Sequence, residues 1–130
     1  MRRAVLLLLL LTACGGSGAA PYDPSGVWHG VLRTNGVEDS TFTLELAPSR
    51  EGGSERGSGV WRFDTNNGEG DVDVVVANTR RVQLRLYSAI GCRAEITIEA
   101  IVADEASWSG TMDGETCERR YDGDVAIVRE

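Results

Sequence analysis

Lysine is absent from this chain of 130 residues, whose 13 basic side chains are all arginine and face 20 acids, for a formal net charge of −7. An acidic surface repels phosphates, so nucleic acid is excluded as a partner. Proline occurs three times, too rarely for a stiff proline-rich spacer, and aromatic residues make up only 6%. A single histidine and three cysteines leave little from which to build a zinc centre. Neither Gly-x-Ser-x-Gly nor Cys-x-x-Cys occurs, so the local signatures of a hydrolase elbow and a dithiol redox centre are both missing. No segment carries helical apolar spacing, and the only long apolar run lies at the start. What remains is enough chain for one domain with a real core.

That initial run is an address. Arg2 and Arg3 precede Ala4-Val5 and an unbroken Leu6–Leu11. Basic residues before a short apolar stretch describe a secretory signal peptide. The stretch ends at Ala13, about half the ~20 residues that a spanning helix needs. Leu11-Thr12-Ala13-Cys14 resembles the lipobox of bacterial lipoproteins. The resemblance implies a cleaved signal over residues 1–13, with Cys14 left as the first residue and carrying diacylglyceryl and palmitate-type chains. Gly15 rather than Asp follows the cysteine, which by the same resemblance points to the outer membrane, or to the outer face of the plasma membrane where a cell has only one. Residues 14–25 are rich in Gly, Ser, Ala and Pro and read as a flexible tether. The eleven residues Gly15–Ser25 could extend to at most ~36 Å. Without the signal, 117 residues with 11 arginines remain, at −9 counting side chains only.

From Gly26 onward apolar residues recur at every second position. The runs are Trp28–Leu32, Thr41–Leu46, Val60–Phe63, Asp71–Val76, Val82–Tyr87, Glu95–Val102, Ser107–Met112 and Asp124–Val128. Period two, β-branched enrichment and intervening turn residues predict strands. The fold class is therefore all-β: residues 26–130 as one antiparallel, eight-stranded up-and-down meander barrel, with a two-sheet sandwich as the alternative. Closure removes the two exposed edges that an open meander would leave. The predicted inward set is Trp28, Leu32, Phe42, Leu44, Leu46, Trp61, Phe63, Val74, Leu84, Leu86, Ile96, Ile98, Trp108, Met112 and Ile127. Such a set is mostly apolar and suits a small barrel filled by its own side chains.

In a meander every odd-to-even loop lies at one end. Cys92 falls between strands five and six, and Cys117 between strands seven and eight, so the two meet at that end. An exported chain favours their oxidation to a disulfide. The same loops bring Glu38, Asp39, Glu69, Asp71, Asp113, Glu115 and Glu118 to this rim, which reads as a solvated acidic surface or as a docking face for a cationic partner or divalent ions. Trp28, Trp61 and Trp108, each near a predicted strand start, are expected toward the opposite end. His29 falls on the outer face of strand one. Asp64–Asp73 opens like a calcium loop, yet Glu69 replaces its turn glycine and Asn66-Asn67-Gly68 reads better as a hairpin.

The Gly26-Val27-Trp28 opening before a meander resembles lipocalin-like and avidin-like small barrels. That resemblance implies an interior that binds a small apolar ligand, with Trp28, Trp61 and Trp108 facing it. The function expected from the sequence is an envelope-anchored structural or protein-interaction module, with a small-ligand carrier as the alternative. No enzyme activity, cofactor or metal is expected.

Overall fold

Alternating side chains on a pleated strand point to opposite faces, and here the pattern closes on itself. A computed structural model describes residues 22–48, 56–64, 68–77, 80–89 and 91–130. It contains β1 (Gly26–Thr34), β2 (Val37–Pro48), β3 (Arg56–Phe63), β4 (Glu69–Val76), β5 (Arg81–Ser88), β6 (Ala94–Asp104), β7 (Ser107–Thr116) and β8 (Arg120–Arg129). Each strand pairs antiparallel with its neighbour in the chain, and β1 also pairs with β8, so the meander is a closed barrel. Asn35 and Gly36 connect β1 to β2 with φ of 52° and 79°, the two positive values that a type I′ hairpin turn demands. The expected signal segment 1–13, the expected lipid-attachment residue Cys14, the expected tether as far as residue 21, and residues 65–67 of the calcium-like loop lie outside the described residues.

All fifteen residues of the predicted inward set are buried, joined by Val72, Val76, Val82, Ala94, Ala100, Val102, Tyr121 and Val125. The strands run further than their apolar patterns. β3 begins at Arg56 because Gly57 and Gly59 hold inward positions with no side chain to mark them. β8 begins at Arg120, four residues early, and brings Tyr121 into the core. Gly30 shows why inward glycines occur here: a Cβ on it would fall inside the ring of Phe42. The ring fills the glycine's empty place across the β1–β2 pair, so the two residues act as one packing unit.

Both mouths are plugged. At the end where the chain enters, the indoles of Trp28 and Trp108 stack with centroids 3.8 Å apart. Tyr22–Ser25 lie across this end instead of trailing away as tether. Trp28 Nε1 donates to the Pro24 carbonyl at 2.9 Å, and Trp108 Nε1 donates to the Tyr22 hydroxyl at 2.9 Å. Arg129 donates to the Asp23 carbonyl at 2.7 Å and sets its guanidinium 4.4 Å above the Trp28 ring. Its Nε is buried without a hydrogen-bond acceptor, so the face of the indole supplies part of the compensation that an acceptor would. At the disulfide end Phe63 stacks on Tyr121 at 4.6 Å, with Trp61 and Phe42 edge-on to Phe63. Arg119 covers Tyr121 at 4.4 Å and pairs with Asp39.

Trp61 therefore departs from the expectation that all three tryptophans gather at the entry end. With β3 starting at Arg56, Trp61 is the sixth of its eight residues. It sits high in the barrel, beside Phe63.

Candidate functional site

The cysteines meet as expected. Cys92 and Cys117 form a disulfide with Cα atoms 5.3 Å apart, within the range that a bridge accommodates. A backbone bond from Cys117 N to the Arg93 carbonyl, 3.0 Å, ties the same two loops independently.

The three tryptophans are interior, at 0–1% exposure, and each indole N–H is already used within the chain. Trp28 and Trp108 bond to the entry segment, and Trp61 Nε1 donates to the Tyr87 carbonyl at 3.3 Å. A ligand pocket normally offers a few free, convergent polar groups; these donors are already taken by two backbone carbonyls and the Tyr22 hydroxyl.

His29 lies on the outer face, as expected. Its Nδ1 is 3.4 Å from the Thr43 hydroxyl, which also reaches Asp64 at 3.3 Å, and its Nε2 is 3.4 Å from Glu130. The order Thr-His-Glu resembles a hydrolytic triad in outline only. His29 and Glu130 are 55% and 69% exposed, so their attraction is weak. The sequence carried no sign of this network, because its members are 14 to 101 positions from one another along the chain.

The acidic rim exists, but arginines interleave it. Asp39 pairs with Arg119, Asp113 bonds Arg120 at 2.6 Å, and Glu69 stands across from Arg62. The Asp39 carboxylate holds the Arg119 guanidinium above its ordinary pKa. Among the described residues no group of three or more His, Cys, Asp or Glu is placed to hold a metal ion.

The feature that sequence reading missed is a cleft of about 540 Å³ on the outer surface near this rim. One cross-strand row runs Glu45–Val60–Asp71–Tyr87 over β2 to β5, and a second runs Thr43–Arg62–Glu69. β4 and β5 are paired up to Asp71 and Tyr87, while Gly70 pairs only with β3. The indole edge of Trp61 reaches Tyr87 through the gap. Gly70 keeps that path open: a Cβ there would run into the Tyr87 carbonyl and come within 2.9 Å of Trp61 Nε1. Val60, 49% exposed, gives the floor an apolar step. Asp73, together with some burial and Asp71, pushes the Tyr87 phenol above its usual pKa, and Arg85 opposes them from 5.4 Å off the ring. The phenol is thus a neutral, amphipathic lip. Around it Glu45, Glu69 and Asp71 outnumber Arg62, so the cleft is shaped for an apolar group carried beside positive charge. A scan against protein-family models and a search of curated proteins each found no match for the chain.

Proposed function

We propose that this chain is an exported, lipid-anchored interaction module of the cell envelope, and that it docks a cationic, partly apolar partner segment in the Val60–Tyr87 cleft. The observation that carries the reading is the cleft itself: an apolar step and a neutral phenol set among three acids and one arginine. The filled core supports it from the other side, since a carrier of small apolar ligands needs interior space. Here the two mouths are stoppered by Arg119 and Arg129. The work then falls to the outer surface, and the reading gives the chain no catalytic step. Cys14 supplies the anchor, which leaves the disulfide end, and the cleft with it, pointing away from the lipid.

The test is titration of the acylated protein in neutral detergent with an Arg/Phe peptide and with its Glu/Phe counterpart, read by intrinsic tryptophan emission, to which Trp61 at the cleft contributes. The cationic peptide is expected to bind, and Val60→Arg to weaken it about tenfold or more, which is ~1.4 kcal/mol. Equal binding of the two peptides, or a Val60→Arg variant that binds like wild type, would sink the docking reading. Cys14→Ala is expected to abolish acyl mass and membrane partition; unchanged partition would remove the anchor.

A further inference from the structure

The entry end has a surface that neither the core nor the cleft uses. Val75 on β4 and Ile101 on β6 point outward there, 38% and 55% exposed, and Val128 on β8 lies further round at 52%. Arg56 is the direct cross-strand partner of Val75, and Arg81 is the direct partner of Ile101. Arg80 joins them, because its carbonyl accepts from Val102 N at 2.9 Å. Among the described residues none of these three arginines makes a salt bridge, whereas Arg119 and Arg120 at the other end are both paired. In a chain of −7, these three arginines outnumber Glu99, the acid across from Gln83 on the same face, and with the two exposed aliphatic side chains they form a local excess of positive charge.

The chain enters at this same end. Tyr22 is held against Trp108 and the Glu105 carbonyl, so Cys14, eight peptide steps back along the chain, is within at most ~28 Å of it. We infer that the β3–β6 side of the entry end is a lipid-contact face that rests on an anionic phospholipid surface. The aliphatic side chains enter the headgroup boundary and the arginines meet phosphates, the pairing that interfacial segments use. Asp104 closes β6 three residues beyond Ile101, Glu105 follows it in the turn to β7, and Glu130 lies across the barrel beside Val27. An anionic surface repels them, so the barrel leans away from the β6–β7 turn and onto β3–β5, with Ile101 at the margin of the contact. This orientation holds the rim cleft outward, and it rests on the anchor reading for its reach, though not for its chemistry.

The test is hydroxyl-radical footprinting of the acylated full protein, first in phosphatidylcholine vesicles and then in equimolar phosphatidylcholine and phosphatidylglycerol. Oxidation of Val75 and Ile101 is expected to fall several-fold on the anionic vesicles, while Val37 at the other end and Val60 in the middle of β3 stay unchanged. The protection is expected to fade in high salt as the arginines are screened. An Arg56→Gln, Arg80→Gln, Arg81→Gln variant is expected to lose it, with Val37 and Val60 reporting that the barrel is intact. A milder Val75→Ser, Ile101→Thr variant, followed at Gln83 and Ser109, is expected to weaken it without touching charge. Val75 and Ile101 as reactive on anionic as on neutral vesicles, or protection spread equally over Val37, would overturn the face. If the anchor reading alone fails, the protein carries no acyl mass and does not float with neutral vesicles. The same footprint with protein simply mixed with anionic vesicles then still decides the face.

Discussion

Replacing both Cys92 and Cys117 by serine isolates what the bridge contributes. The two residues are 25 positions apart, and the segment between them is the β6–β7 hairpin with its strands paired from Ala94↔Thr116 inward. In the chain-entropy model a loop of that size removes about 3.5 kcal/mol of freedom from the unfolded chain at 25 °C. Little of the loss should arise in the folded state. The Cys117 N to Arg93 carbonyl bond keeps the two loops together, and neither sulfur lies in the core. The variant is therefore expected to fold to the same barrel, with the same near-ultraviolet dichroism from the tryptophan stack. Its urea midpoint should fall by roughly 1.5–2 M, taking a slope of ~2 kcal/mol per molar for a domain of this size. The denaturant slope itself should rise slightly, because the uncrosslinked unfolded chain exposes more surface. Kinetics sharpen the test. An effect confined to the unfolded state slows folding if the hairpin ends meet before the barrier, and leaves unfolding unchanged only in that case. A loss under ~1 kcal/mol, or an altered dichroism of the folded variant, would refute the argument that the bridge acts on the unfolded chain.

Gly30→Ala is expected to cost ~1–3 kcal/mol by forcing Phe42 aside, and Phe42→Leu in the same chain to recover part of it; additive losses in guanidinium melts would contradict a shared packing unit. Arg119→Met keeps the stem over Tyr121 but removes the cation and its pairing with Asp39; with both partners part-exposed, a loss of ~0.5–1.5 kcal/mol is expected, and a loss above ~3 kcal/mol in urea melts would argue against it. The Ser25 backbone and side chain hold the Asp23 carboxylate below its usual 3.8, and the Ala106 N–H does the same for Asp104. Since both folded values are depressed, their contribution is complete above about pH 3.8 and is lost as pH falls through the lowered values. Amide exchange at Ser25 and Ala106 should accelerate there ahead of the strands, and a simultaneous release of β1 would refute local opening.

Strand number, order, closure and the end shared by the two cysteines were legible because each rests on alternation, which survives translation into structure. Strand ends were harder to see. Arg56–Gly59 and Arg120–Asp124 carry almost no apolar signal, yet both are paired, since neighbouring backbone or rings fill what their glycines leave vacant. That concealed length is why Trp61 was expected at the wrong end. Tyr22–Ser25 read as tether because a tyrosine, an aspartate, a proline and a serine have no period; they pack through the Tyr22 hydroxyl and through the Asp23 and Pro24 carbonyls, groups that leave no pattern in a sequence. The rim acids were visible and their arginine partners were not, for Asp39 and Arg119 are 80 positions apart. The cleft was hidden for a related reason. It depends on where β4 parts from β5, a matter of register rather than composition.

The join of β1 to β8 stands alone among the eight strand pairings. The other seven unite consecutive strands, so each can form as a local hairpin, while this one must bring together segments about a hundred residues apart along the chain, at a closure cost that grows only slowly with that distance. Glu130 N already bonds the Val27 carbonyl at 2.8 Å, which puts the end of β8 beside the start of β1. A circular permutant that links them through a short peptide and opens the Asn35–Gly36 turn would convert the one remote pairing into a hairpin and a local hairpin into the remote one. Contact order would hardly change, but the last seam to close would move from β1/β8 to β1/β2, and folding could be steered without altering a single interior residue.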